Sequence, residues 1–156
     1  MIEEKIKEII GHDLPAVVKP LAAYIPAQIS GNMVYTSGQL PMKDGKLIAE
    51  GRVGYEVSEE KAIECARLCA LNCLLAVKSV IGNLDRIEQI VKVVVFVNSA
   101  TRYTAQPKVA NGASEFLAQV FGDIGKHARS AVGVSELPLN APVEVEMIVR
   151  ASLLDF

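Results

Sequence analysis

The segment from Ile90 to Val97 restricts the possible folds more than any other part of the chain. All of its residues except Lys92 are apolar, and nearly all are β-branched, which is typical of a β-strand. Alternate side chains of a strand leave opposite faces of its sheet, and here both sets are apolar. One set is Val91, Val93, Val95 and Val97, and the other is Ile90, Val94 and Phe96. The pattern therefore predicts a central strand that is covered on both sides.

Composition and charge indicate a globular protein and argue against several kinds of partner. Hydrophobic residues make up 51% of the chain and charged residues 22%, which predicts a single domain over residues 1–156 with a large core. The net charge is −2, and Lys and Arg are scattered along the chain. We therefore expect no nucleic-acid partner and no membrane partner, since both would need a basic patch or a long apolar span.

The first residues predict a short amphipathic helix. Ile2, Ile6, Ile9 and Ile10 recur at helical spacing among charged residues, so we assign residues 1–12 to an N-terminal helical extension. This segment is too charged for the apolar core of a secretory signal. We therefore expect a cytoplasmic protein.

Three cysteines lie four residues apart in a second, more apolar helical pattern. On a helix, Cys65, Cys69 and Cys73 share one face, which makes a zinc site conceivable. A fourth ligand is missing nearby in the sequence, and small side chains suit a helix face that packs closely against a neighbour. Core packing is therefore the favoured interpretation.

Turn and cap signals divide the rest of the chain. Gly31 and Asn32 mark a hairpin turn within residues 24–37, and a turn at residues 43–46 precedes a short strand that would extend this meander. The remaining predicted elements are a helix from the Ser58 N-cap to Ile81, a helix from Pro107 to Gly122, and strands at 129–135 and 143–151. This order predicts an α+β fold with both helices packed on one face of the sheet.

Arg129 is the most suggestive polar residue. It opens a small apolar strand and shares a face with Ala131 and Gly133, which leave room beside it. A guanidinium in such a place can grip a carboxylate through two parallel hydrogen bonds. A structural ion pair is the alternative interpretation, and the residues alone do not decide between the two.

Glu144 and Glu146 are candidates for acid/base chemistry. They lie two residues apart in the last strand, so both leave the same face. A carboxylate held near Arg129 could position or deprotonate a water molecule, whereas the alternative is a solvated strand face or a salt bridge between subunits. His127 could line the same pocket, although a surface turn is the default role for it.

Three separated blocks resemble the Rid/YjgF family, over nearly the whole chain after Leu14. The blocks are Gly31-Asn32-Met33-Val34-Tyr35-Thr36-Ser37-Gly38-Gln39-Leu40-Pro41; Val91 to Val97; and Ala128-Arg129-Ser130 with Leu137-Pro138 and Val143 to Glu146. The resemblance implies a chorismate-mutase-like fold of the bacillus type, and a homotrimer whose sheets form a central barrel with pockets between subunits. It also implies hydrolysis of 2-iminopropanoate and 2-iminobutanoate to the 2-keto acid and ammonia without a metal or organic cofactor.

The same resemblance assigns residues to the pocket. Arg129 matches the arginine that binds the substrate carboxylate, and Glu144 matches the glutamate associated with the water. The other matching positions are Tyr24, Ser37, Gly38 and Asn111, together with Ala131, where the deaminase branch commonly has cysteine. His127 replaces a common proline. These departures indicate a sister subgroup, so a non-catalytic protein that senses a small carboxylate is the alternative function. A ribonuclease is a third, which the acidic balance and the lack of paired catalytic histidines disfavour.

The two apolar faces of the central strand predict self-association. Two helices cover only one face of a sheet, so another copy of the chain is expected to cover the other. Sedimentation velocity at micromolar concentration should give an oligomer, and a stable monomer in light scattering would contradict this expectation.

Overall fold

A computed structural model describes residues 1–17 and 23–153, and it confirms the α+β class. A five-stranded mixed sheet carries three α-helices, and a separate ribbon has two very short strands. The helices are α1 (Ile2–Ile10), α2 (Glu59–Ile81) and α3 (Gln106–Phe121). The strands are β1 (Ala27–Ser30), β2 (Met33–Thr36), β3 (Met42–Lys43), β4 (Lys46–Leu47), β5 (Ile87–Asn98), β6 (Ala128–Val134) and β7 (Val143–Ala151).

The sheet has the order β1-β2-β7-β5-β6, in which only β5 and β6 run parallel. The predicted hairpin and its turn are confirmed as β1 and β2. The predicted extension of this meander was wrong, because β7 occupies the edge of β2 that a third strand would need. The chain after β2 instead crosses to β7, where Gln39 and Val145 exchange backbone hydrogen bonds of 2.8 and 3.0 Å. Strands β3 and β4 pair only with each other.

The long strand β5 is central, and its two faces differ. Val93, Val95 and Val97 are fully buried beneath the helices, whereas Val94 and Phe96 are half-buried on the opposite face, which we call the open face. The prediction that Ile90 joins Val94 and Phe96 was wrong. The register against β7 shifts between Ile90 and Lys92, and this extra residue turns Ile90 into the core with no exposed surface.

Helix α2 packs on the sheet through its cysteines. All three thiols are buried and unpaired, and Cys73 donates a hydrogen bond of 3.2 Å to the carbonyl oxygen of Val145. Burial raises the pKa of Cys73 to about 12 and that of Cys65 to about 11, so these thiols stay neutral at physiological pH. They act as small core side chains, as favoured from the sequence.

Helices α2 and α3 lie side by side and in close contact. A Cβ on Gly112 of α3 would overlap the carbonyl oxygen of Ile63 in α2, so the approach of the two helices depends on this glycine. On its other side, α3 carries Asn111 and Ser114, whose side chains accept hydrogen bonds from Arg129 at the start of β6.

The predicted N-terminal helix is confirmed as α1, which packs against α3 and the short turn at residues 84–86. Its Ile6 is completely buried, its first amide donates a 2.8 Å hydrogen bond to Asp85, and Glu3 forms an ion pair with Lys78 at the end of α2. Among the described residues, no helix combines the length and apolar character that crossing a membrane requires.

Candidate functional site

Arg129 lies at the start of β6, where it pairs with Val93 of the central strand and therefore points toward the helix layer. It is half-buried. Its Nη1 donates hydrogen bonds of 2.8 Å to Oδ1 of Asn111 and 3.1 Å to Oγ of Ser114, both on the facing side of α3. Two of these residues, Arg129 and Asn111, were predicted to share a pocket, and the structure brings them into direct contact.

The positive charge of Arg129 is not neutralised by a carboxylate in the parts of the chain that the structure describes. Both acceptors on it are neutral oxygen atoms. The side chains next to it on the same face of β6 are small, namely Ala131 and Gly133, as their pairing with Val95 and Val97 shows. Among residues 1–17 and 23–153, Arg129 therefore has no ion-pair partner, which is the alternative that the sequence left open.

Glu144 lies near the start of β7 and pairs with Phe96, so it leaves the sheet on the open face together with Glu146. This confirms that the two glutamates share a face. Partial burial, and secondarily the neighbouring charge of Glu146, raise the pKa of Glu144 above its ordinary value. A carboxyl group with a raised pKa exchanges protons closer to neutral pH, as general acid/base chemistry requires.

Gly38 lies directly against the carboxylate of Glu144. A Cβ at this position would overlap Oε1 of Glu144, so a larger residue here would displace the glutamate side chain. The neighbouring Ser37 donates a 2.6 Å hydrogen bond from its hydroxyl to the carbonyl oxygen of Ile25. That bond fixes the segment that begins with Tyr24, whose side chain is 55% exposed. Ser37 thus holds the backbone of this region.

The predicted site residues form two groups within one chain. The first, the arginine half-site, consists of the predicted residues Arg129, Asn111 and Ala131, together with Ser114, which was not predicted. The second, the glutamate half-site, consists of Glu144, Gly38, Ser37 and Tyr24. The two groups do not meet, because Arg129 faces the helices and Glu144 the open face. Their partners on β5 are three positions apart, roughly 10 Å, and two strand spacings of about 4.8 Å separate β6 from β7.

Ser114 was missed from the sequence, where a serine in a helix carries little signal. A usable signal existed, because Ser114 follows Asn111 by three residues and so shares its helix face. The position of His127 was uncertain from the sequence. In the structure its Nε2 lies 2.8 Å from Oγ of Ser114, so it adjoins the arginine half-site.

A mostly apolar cavity of about 720 Å³ lies beside the glutamate half-site. Tyr24 and Gly38 contribute to its wall, along with α2, the β3–β4 ribbon and residues 15–17. Neither Arg129 nor Glu144 lines it. Residues 18–22 lie outside the described residues.

Within residues 1–17 and 23–153, no cluster of three or more His, Cys, Asp and Glu side chains is arranged to hold a metal ion. The two half-sites present a guanidinium, a carboxylate and the neutral hydrogen-bonding groups around them.

Comparison with known proteins identifies the family to which the chain is similar. Residues 4–150 match the family model described as "YjgF/chorismate mutase-like, putative endoribonuclease". The chain is 41% identical over 142 residues to protein TCP17 of Trypanosoma cruzi, covering 90% of this chain and 89% of that protein. It is 31% identical over 137 residues to the 2-iminobutanoate/2-iminopropanoate deaminase of Dermatophagoides farinae, covering 86% and 91%. A crystal structure of an Agrobacterium tumefaciens protein of unknown function is 45% identical, with a TM-score of 0.89 over 97% of this chain and 93% of that one.

The raised pKa of Glu144 predicts a pH-dependent stability change. A carboxyl whose pKa is higher in the folded chain than in the unfolded chain destabilises the fold once it is ionised, and this effect vanishes below the unfolded pKa. Glu144→Gln should therefore raise the melting temperature at pH 7.5 and leave it nearly unchanged at pH 3.5. The exposed Glu136→Gln is the control, and an equal gain from Glu144→Gln at both pH values would contradict the assignment.

Proposed function

Since the chain belongs to the YjgF/chorismate mutase-like family, we propose that it hydrolyses small 2-imino acids to the 2-keto acid and ammonia. The substrates would be of the 2-iminopropanoate and 2-iminobutanoate type. The observation that carries this proposal is the state of Arg129, a half-buried guanidinium held by two neutral acceptors and left with an uncompensated charge. Such a group is suited to binding a small organic anion. A carboxylate matches the planar geometry of the guanidinium well, because it can accept two parallel hydrogen bonds.

The proposed reaction needs little from the protein beyond orientation. The carbon atom of an imine is already electrophilic, so water adds to it to form a C–O bond, and the resulting amino alcohol loses ammonia to leave the keto group. Arg129 would bind the carboxylate and fix the substrate. Glu144 would pass both protons of the water to the nitrogen, the first as the C–O bond forms and the second as the hydroxyl becomes the keto group and the C–N bond breaks. All atoms are then balanced with water as the co-substrate.

The remaining predicted residues would shape the pocket around these two groups. Asn111 would orient Arg129, and Ala131 would leave space beside it. Gly38 would admit the substrate next to Glu144, and Ser37 would hold the segment that presents the Tyr24 ring. Tyr24 is exposed in a single chain, which suits a residue that closes a pocket against a neighbour.

We further propose that the pocket forms between subunits of a homotrimer. The two half-sites lie on opposite faces of one chain, so one copy would have to supply Arg129 and the next copy Glu144. An interface of this head-to-tail kind closes into a ring. The open face also exposes apolar side chains that a neighbour could cover, with Tyr35 at 44% and Val132 at 43% exposure.

Loss of either charged group should reduce activity. With 2-iminopropanoate generated in situ by a dehydratase, Arg129→Gln should lower kcat/KM roughly 10- to 100-fold, which corresponds to losing a charge-assisted contact of about 1.5–3 kcal/mol. Glu144→Gln should lower kcat about 100-fold or more by removing the base. The exposed residues Arg102 and Glu136 provide matched controls, since Arg102→Gln and Glu136→Gln should behave like wild type. Uncatalysed rates for wild type and both site variants would contradict the proposed hydrolysis and favour the alternative, a non-catalytic carboxylate sensor.

Mixing the two inactive variants tests the shared pocket. If Arg129 and Glu144 act from different subunits, trimers reassembled from equal amounts of Arg129→Gln and Glu144→Gln contain some pockets with both native groups. With random assembly, about a quarter of all interfaces combine a native Arg129 from one copy with a native Glu144 from the next. Activity should therefore recover to about a quarter of the wild-type value. A mixture as inactive as its components, at a measured trimer mass, would show that the pocket lies within one chain.

A further inference from the structure

His127 lies between the turn that follows α3 and the start of β6, and its ring is bonded at both nitrogen atoms. Nδ1 is 2.6 Å from the carbonyl oxygen of Gly125, and Nε2 is 2.8 Å from Oγ of Ser114. A carbonyl oxygen can only accept, so the hydrogen-bond network assigns the proton to Nδ1. In the neutral ring Nε2 is then an acceptor, and the Ser114 hydroxyl must donate to it.

This direction decides what Ser114 offers to Arg129. With its hydrogen committed to His127, the hydroxyl presents lone pairs to the guanidinium, and Arg129 Nη1 donates to it over 3.1 Å. Asn111 accepts a second hydrogen bond from Nη1 over 2.8 Å. This nitrogen is therefore bound to two neutral acceptors on α3.

The remaining edge of the guanidinium is left for a ligand. Within the described residues, neither Nε nor Nη2 of Arg129 donates to a protein acceptor. These two nitrogens form one side of the planar group, and their hydrogens point in parallel, as a carboxylate needs for two simultaneous hydrogen bonds. The contacts with α3 thus select which edge faces the ligand.

The hydrogen bonds that link Gly125, His127, Ser114 and Arg129 form a series, which we call the relay, and its first member has a fixed position. Gly125 is buried against α3, and a Cβ on it would contact the carbonyl oxygen of Leu117, so its backbone lies in a fixed place relative to the helix. The carbonyl oxygen of Gly125 accepts from Nδ1 and so determines the tautomer of His127. Nε2 of His127 then determines the direction of the Ser114 hydroxyl hydrogen, and the Ser114 oxygen in turn orients the guanidinium of Arg129. The chain of bonds runs from backbone to guanidinium without a charged partner.

We propose that His127 and Ser114 are positioning residues, which fix Arg129 so that its Nε and Nη2 edge receives the carboxylate of the ligand. This rests on the proposed function, because it takes Arg129 as the carboxylate-binding group. It adds two residues to the site and a reason for histidine at position 127. A neutral imidazole has a hydrogen-bond donor at one nitrogen and an acceptor at the other, and a proline side chain has neither.

The test measures binding of 2-oxobutanoate, a stable keto acid, by isothermal titration calorimetry. Ser114→Ala and His127→Leu should each raise Kd about tenfold, the usual effect of losing one hydrogen bond to a charged group. Ser114→Thr keeps the hydroxyl, and His127→Gln keeps an acceptor near the position of Nε2, so both should stay within about threefold of wild type. Ser135→Ala changes an exposed serine outside the site and is the matched control.

A double-mutant cycle separates positioning from general structural damage. Because the relay runs through Ser114, His127→Leu should have no further effect on Kd in the Ser114→Ala background. Additive losses would overturn the relay. If Arg129→Gln abolishes binding while Ser114→Ala and His127→Leu bind like wild type, the positioning role alone is wrong. If wild type binds no better than Arg129→Gln, the proposed function fails and the relay with it.

Discussion

The packing of α2 and α3 on one face of the sheet is the constraint from which the rest of the structure follows. The buried face of α2 is rich in alanine and cysteine, and Gly112 lets α3 approach it closely, so the helix layer is thin and dense. Once both helices lie on this side, the glutamates of β7 and the apolar residues of β5 on the other side are only partly covered by the described chain. The same packing places α3 beside the start of β6, where it meets Arg129.

The electrostatics of the two half-sites are complementary. The arginine half-site keeps a positive charge among neutral acceptors, whereas in the glutamate half-site partial burial, and secondarily the charge of the neighbouring Glu146, raise the pKa of Glu144. Each arrangement is unfavourable by itself, since a partly buried charge without a counterion loses hydration. In the proposed pocket between subunits, the guanidinium of one copy and the carboxylate of the next would lie near each other, and their attraction would offset part of this cost.

Most secondary structure could be predicted because it depends on local patterns. The β-branched run gave β5, the Ser58 cap and Gly82 bounded α2, and the Gly31-Asn32 turn gave the first hairpin. The predictions failed where strand pairing, and not the local hydrophobic pattern, determines the position of a residue. Strict alternation put Ile90 on the open face, but the irregular register against β7 turned it into the core. Likewise, the third strand of the meander is lost because a strand distant in sequence took its place.

For the site, the sequence by itself determined the chemistry that is available: one arginine in a small apolar strand, two glutamates on one strand face and a glycine ahead of them. These follow from residue type and a period of two, which are local properties. Only the tertiary structure decided that Arg129 and Glu144 lie on opposite faces, and that Ser114 and His127 join Arg129. The physical reason is that hydrogen bonds and strand order join residues far apart along the chain, and no local pattern specifies which of them meet.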